Sequence, residues 1–410
     1  MKRFLILLAS AFTAAMCTTA PKDIPENLLG TWSGELDPIG LALTLHLGDT
    51  CTVDSPDQGA FGLRAQVKEI SEESLWVKFP DFHAGLKAKV QGDSLIGSFS
   101  QMGVKASIAM VRGPLVRNRP QTPVPPFPYL AEEICFNNGD ISLAGTFTLP
   151  ESLRDVPVVV MVSGSGKQDR DETLMEHKPF AVLADALARA GIPSLRYDDR
   201  ECGASGGVFA EATTADFASD AASAVKYLRD KGFTKVGIIG HSEGGTIAFM
   251  LAGAETPDKG TPDFIISLAG MADRGDSTLL RQTARMLELQ GAPKKAAALG
   301  AKISYKQILK QKSVWMDYFV SLDPAPYVSR IKCPVLALNG SKDSQVIPEY
   351  NLSKVEALCP QADCRLYPDL NHLFQHCSTG LGTEYARIEE TMSEEAISDI
   401  IAWIKELQEE

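Results

Sequence analysis

Six short apolar runs recur between residues 156 and 369: VPVVVMV, GIPSLRYD, KVGIIG, DFIISLAG, CPVLALNG and ADCRLYPD. Helix-like stretches such as TTADFASDAASAVKYLRDKG lie between most of them. Runs that are apolar throughout have no polar face to offer water, so they read as strands covered on both sides. Helical crossovers between such strands make the sheet mostly parallel. The expected fold class is α/β. A preceding stretch, EEICFNNGDISLAGTFTLP, reads as a hairpin turning at Asn138-Gly139. One interval breaks the alternation. Between ISLAG and CPVLALNG lie helical patterns, STLLRQTARMLELQ and ALGAKISYKQILKQ among them, and an insertion at about 271–330 is expected to cover the strand ends as a helical cap.

The region before it has a different texture. GTWSGEL, LALTLHL, FGLRAQVKEI, SLWVKFP, AGLKAKV, SLIGSFS and VKASIAMV alternate apolar with polar residues and are separated by Gly, Asp and Ser. Period-two patterning of this kind predicts a small antiparallel sheet or barrel over residues 24–115. His46 and His83 read as ordinary strand residues, because no carboxylate or second histidine recurs nearby at ligand spacing. The proline-rich RNRPQTPVPPFPY disfavours helix and sheet alike, which makes 116–130 a linker and 131–410 a second domain.

Lys2 and Arg3 precede an apolar segment and then small residues, the layout of a secretory signal peptide over 1–20. Export to the periplasm or the extracellular space is the expectation. Cys17 ends the apolar segment and is a candidate lipid-anchored residue, although Met16 occupies a position where bacterial lipoprotein signals normally need a small side chain. The segment is too short to stay as a transmembrane helix. A net charge of -12 without a Lys/Arg cluster argues against nucleic acid or an anionic membrane as partner. Of eight cysteines, seven remain if Cys17 leaves with the leader. Cys359 and Cys364 are close enough to close a small loop in an oxidising compartment, and Cys202 reads as a structural thiol because no basic residue is placed to ionise it.

VGIIGHSEGGTIAFMLAG reads as strand, sharp turn and helix, with Gly240-His241-Ser242-Glu243-Gly244 forming G-x-S-x-G. A serine at the tip of a strained strand-to-helix turn is pushed toward solvent, and the new helix aims its amides and positive dipole end at the reacting centre. Serine is a weak nucleophile until a base takes its proton, so an acid and a histidine are expected further along the chain. Asp343 follows the strand ending at Gly340, and His372 follows the next strand. His376 is the reserve base. Asp369 competes as the acid, but its nearness to His372 suits it better to starting the turn. His241 is expected to point back into the fold.

Five pieces in this order, SGSGKQDRDE, YDDRECGASGG, GHSEGG, NGSKDSQV and LNHLFQ, make residues from about Glu132 to Leu407 resemble a serine carboxylesterase of the α/β-hydrolase superfamily. The resemblance implies an α/β-hydrolase fold and a triad with Ser242 as nucleophile, His372 as general base and acid, and Asp343 fixing its tautomer. It also implies an oxyanion hole made by the backbone N–H groups of Glu243 and Ser165, with Gly166 as the neighbouring choice for the second donor. Many relatives begin that loop with His-Gly, whereas this chain has Ser163-Gly164. Arg170 and Arg200, among the carboxylates of KQDRDE and YDDRE, read as braces for the loops around the site, with substrate contact as the second reading. The resemblance further implies a small carboxylic ester as the substrate class and a reaction that requires no metal or organic cofactor. Three rivals stand beside this one. An aminopeptidase would use Glu243, Asp169 or Asp171 to hold a substrate amine; an acyltransferase would pass the acyl group to an alcohol other than water; a non-catalytic protein would bind a glycan or lipid through its N-terminal region.

Overall fold

The computed structural model describes residues 24–37, 40–58, 60–101, 103–151 and 156–409. The leader expected over 1–20, with Cys17, lies outside the described residues. The described residues fall into two compact units: those up to Asn118 together with Gly382–Glu389, and those from Arg119 to Leu381 together with those from Glu390 on.

In the first unit nine strands, β1 (Gly30–Asp37), β2 (Leu41–Leu47), β3 (Thr52–Ser55), β4 (Ala60–Arg64), β5 (Gln66–Ile70), β6 (Ser74–Phe79), β7 (Ala84–Gln91), β8 (Ser94–Gln101) and β9 (Val104–Arg112), form one antiparallel sheet in the order β4-β3-β2-β1-β9-β8-β7-β6-β5. FGLRAQVKEI, one run in the sequence, is two strands. β4 and β5 lie at opposite edges of the sheet yet are separated in sequence only by Ala65, so the sheet must curl until its edges meet. The alternation seen in the sequence puts Leu75, Val77 and Phe79 of β6 inside with Trp32, Leu45 and Phe99. Trp32 Nε1–H donates to the carbonyl of Leu28 at 2.9 Å, so its one polar atom is satisfied in the core.

The second unit is built on an eight-stranded sheet. Its hairpin pairs β10 (Leu130–Asn138) with β11 (Ile141–Leu149), and the register joins Asn138 to Ile141. The two-residue turn is therefore Gly139-Asp140, one position later than the sequence suggests. Gly139 supplies the positive φ the turn needs, and the Asn138 side chain is drawn off to Asp220 at 2.7 Å. β11 runs antiparallel to β13 (Ser194–Tyr197). From there β13, β12 (Val158–Val162), β14 (Val236–His241), β15 (Phe264–Leu268), β16 (Val335–Gly340) and β17 (Asp363–Tyr367) are parallel neighbours in that order. The swap of β12 and β13 sets β12 directly beside β14.

Alternate residues of β12 serve two cores. Val158, Val160 and Val162 pack with Ala221, Val225 and Leu228 of α2 (Thr214–Asp230) and with α3 (Glu243–Ala252). Val159 and Met161 pack with Leu183 and Leu187 of α1 (Pro179–Arg189) and Ile400 and Ile404 of the C-terminal helix Glu394–Glu409. Burial on both faces explains why these strands carry no polar alternation. Between β15 and β16 the chain forms α4 (Gly275–Leu289), α5 (Lys294–Ile308), α6 (Val314–Ser321) and α7 (Ala325–Val328). Among the described residues, no helix is long and apolar enough to cross a membrane.

Candidate active site

β14 delivers its last residue, His241, to the sheet's edge of loops, and the chain then turns at Ser242 with φ 52° and ψ -114° before α3 begins at Glu243. A positive φ on a residue with a Cβ is strained, and the turn is held by close packing. A Cβ on Gly240 would sit 2.1 Å from the carbonyl oxygen of Gly244, and one on Gly244 would sit 2.0 Å from that of Val162. The Ser242 amide donates to the Leu268 carbonyl at 2.8 Å, tying the turn to β15. From Val236 to Met250 every residue is buried except Ser242, which is partly exposed. The one accessible side chain of the elbow is thus the hydroxyl that the sequence singles out.

Asp343 and His372 lie in the loops after β16 and β17. Main-chain bonds zip those loops together: Ser341 N–H donates to Tyr367 O at 2.8 Å and Lys342 N–H to Leu370 O at 2.9 Å. His372 Nδ1–H donates to Asp343 Oδ2 at 2.8 Å, with both side chains buried. Asp343 also accepts from Asn339 Nδ2 at 3.0 Å and from the amides of Gln345 and Val346 at 2.8 and 2.9 Å. Four donors on one carboxylate fix its orientation. Because a carboxylate can only accept, the histidine proton sits on Nδ1, and in the neutral ring Nε2 keeps its lone pair. The Asn371 side chain shapes the loop by accepting from the amides of Leu373 and Gln375. The alternatives fall away from this arrangement. His376 is exposed and paired with Glu390 at 2.9 Å, and Asp369 is an exposed turn residue with φ 60° paired with Lys342.

The loop after β12 runs against the elbow. A Cβ on Gly164 would lie 3.2 Å from Ser242 Cβ, so no larger residue fits there without displacement. Ser165 is exposed, and among the described residues no acceptor engages its amide. Glu243 opens α3, so its amide has no acceptor within the helix. Gly166 lies in the same exposed stretch, with φ 100°. The Gly164 amide, by contrast, is used: it donates to Glu172 Oε1 at 2.6 Å.

Both arginines are engaged by carboxylates of the same unit. Arg170 donates to Asp198 at 2.8 Å and to Thr146 at 2.7 Å and is paired with Glu133, while Arg200 donates to Asp220 at 2.7 and 3.0 Å. The carboxylates that an amine-binding subsite would need are also engaged. Asp169 accepts from the amides of Asp171 and Thr173, Asp171 pairs with Arg196, and buried Glu243 accepts from Thr214 Oγ1 at 2.6 Å and Trp315 Nε1 at 2.8 Å. Burial pushes the Glu243 carboxyl up. The last contact links α6 of the insertion to the residue after the nucleophile candidate.

Sequence reasoning counted Asp199 of YDDRE among the carboxylates that hold the loops, but did not single out Glu172, Asn339 or Trp315. Asp199 accepts from the Gln168 amide at 2.8 Å and the Ser163 hydroxyl at 3.3 Å, holding the loop beside Ser242, and burial pushes its carboxyl up to about 8. His241 does point back into the fold, and it donates from Nδ1 to Glu172 Oε1 at 2.8 Å and from Nε2 to the carbonyl of His372 at 2.9 Å. Burial and three nearby carboxylates raise the Cys202 thiol, the opposite of activation. Cys359 and Cys364 are both free.

Residues 174–317, about a third of the chain, match the family described as Serine aminopeptidase, S33. That stretch includes Ser242 and ends before Asp343 and His372. Esterase EstD of Thermotoga maritima is 27% identical over 256 residues, 58% of this chain, and the chain spans 60% of that relative's length. Among solved structures, the Pyrococcus furiosus Esterase Pf2001 aligns over 72% of this chain and 98% of its own, at 17% identity and a TM-score of 0.45. Est1E from Butyrivibrio proteoclasticus aligns over 66% and 98%, at 16% identity and a TM-score of 0.43. By its family match and its curated relative, the chain resembles serine esterases of the α/β-hydrolase superfamily.

Proposed function

We propose that this protein is an exported serine hydrolase that cleaves small carboxylic esters through an acyl-enzyme on Ser242. The observation that carries the proposal is the 2.8 Å bond from His372 Nδ1–H to the four-donor Asp343 carboxylate, beside an elbow whose one partly exposed side chain is Ser242. His372 Nε2 takes the Ser242 proton as Oγ attacks the ester carbonyl, and the resulting imidazolium is stabilised by Asp343. The carbonyl oxygen becomes an oxyanion facing the amides of Glu243 and Ser165, each such donor being worth on the order of 10²–10³ in turnover. Collapse passes the proton from His372 to the leaving alcohol, and water then repeats the sequence on the acyl-enzyme.

The four helices Gly275–Val328 act as a cap whose Trp315 is seated on Glu243. A serine aminopeptidase is the second reading, favoured by the description of the matching family. Against it, Asp169, Asp171 and Glu243 are committed to internal partners. The mature protein is assayed on acyl esters of increasing chain length and on aminoacyl amides, with Ser242→Ala as control. Ester turnover that vanishes in the variant is expected. Amide turnover exceeding ester turnover would replace the esterase reading with the peptidase one.

A further inference from the structure

We infer that Glu172 and His241 form a buried carboxylate–imidazolium pair that positions the site, fixing the Ser163-Gly164 turn and the His372 main chain around Ser242. The inference rests on the esterase reading for its consequence and on geometry for its premise. Glu172 Oε1 accepts from the Gly164 amide at 2.6 Å and from His241 Nδ1–H at 2.8 Å. His241 Nε2–H donates to the His372 carbonyl at 2.9 Å, and the two imidazole rings lie 4.7 Å apart. Three chain segments, the loop after β12, the end of β14 and the loop after β17, therefore meet at one pair of side chains. Each of the three carries a group the chemistry needs: the Ser165 amide next to Gly164, the Ser242 hydroxyl next to His241, and the His372 ring on the residue whose carbonyl is held.

Both ring nitrogens of His241 face acceptors, a carboxylate and a carbonyl, so both carry hydrogen and the ring is a cation. Phe180, Leu268, Leu373 and Phe374 wall the pair, which strengthens its attraction and excludes competing water. Glu172 Oε2 has no hydrogen-bond partner among the described residues, so His241 is the carboxylate's one cationic neighbour in contact. Glu172 itself has φ 53°, a left-handed backbone kept at the point where its side chain must turn inward. The charged groups that act on His241 are Glu172 and Asp343, and Asp199 is a further titratable group close enough to Glu172 to feel its charge. Burial works against the charge on His241, and the Glu172 carboxylate and the His372 carbonyl outweigh it, holding the imidazolium above its ordinary range.

The test uses the full mature chain labelled with 15N at histidine, together with Glu172→Gln, His241→Gln and the double variant. In the wild type the His241 ring nitrogens are expected to carry the doubly protonated signature at pH 7 to 8, and E172Q is expected to abolish it. Each single variant is expected to lower kcat roughly 10–100-fold, the size of effect that a small misplacement of reacting groups produces. KM should stay within about twofold, since no substrate contact is removed. If the two residues act as one unit, the double variant is no slower than the slower single variant, whereas independent structural damage would multiply. A neutral His241 at pH 7, or multiplicative losses with KM rising in step, overturns the inference. Should the variants fail to fold, the ring-nitrogen signature of the wild type decides alone. A wild type without ester turnover defeats the esterase reading and leaves that signature to be read.

Discussion

Ser242 and Asp343 are expected to fail differently when replaced. Removing the hydroxyl removes the bond-forming atom, whereas Asp343→Asn keeps the shape and puts an amide where His372 Nδ1–H needs an acceptor. The imidazole is then free to adopt the tautomer that cannot take the serine proton, and kcat should fall on the order of 10³–10⁴-fold. His376→Ala, at an exposed residue paired with Glu390, should leave turnover within about twofold of wild type. Steady-state kinetics on one short-chain ester separates the two outcomes, and a large loss in H376A with none in D343N would reverse the assignment of base. The motif and the order Ser, Asp, His brought these residues forward because each sits just past an apolar run, where a loop is expected. Glu172 was not legible by the same logic. Its neighbours Asp169, Arg170 and Asp171 are all used as loop braces, and nothing in DRDE distinguishes the one carboxylate that turns inward to meet His241.

At the scale of elements, the elbow depends on main-chain contact that only glycine permits. Gly244→Ala would place a methyl group 2.0 Å from the Val162 carbonyl oxygen, forcing α3 away from β12. The cost should be at least about 1–3 kcal/mol in a denaturant titration, with activity lost more completely than stability. An unchanged midpoint would mean that the elbow is looser than this packing requires. The six apolar runs of the second unit correspond to β12–β17, most plainly at β12, β14, β15 and β16, where burial on both faces writes itself directly into composition. Other elements were less visible for physical reasons. TVDS (β3) is four residues long, too short to show a period. The break at Ala65 is invisible because the passage from one sheet edge to the other is set by curling of the whole sheet, not by local propensity. Asn138-Gly139 is a strong turn signal, but the Asn138 side chain binds Asp220 on α2 and the turn moves one residue on.

For the molecule as a whole, the buried acids near the site set a pH dependence. Asp199, pushed up to about 8 by burial and by the charges of Glu243 and Glu172, holds its proton in the folded state where the unfolded chain has already released it. Between roughly pH 4 and pH 8 the folded protein thus binds more protons from this group than the unfolded chain, and stability falls as pH rises through that window. His241, raised by Glu172, acts in the same sense: its contribution is complete below its unfolded value and is lost as pH rises through the higher folded one. Asp199→Asn should flatten the fall of unfolding free energy between pH 4 and pH 8, as read by denaturant titration at several pH values. An equally steep fall in the variant would assign the slope elsewhere. The central claim, that Ser242 is the nucleophile, is tested most directly by treating the intact protein with a fluorophosphonate and mapping the adduct by mass spectrometry. One adduct per chain on the Ser242 peptide, absent from Ser242→Ala and much slowed in His372→Ala, is the predicted result; no adduct, or one on another residue, would contradict the account.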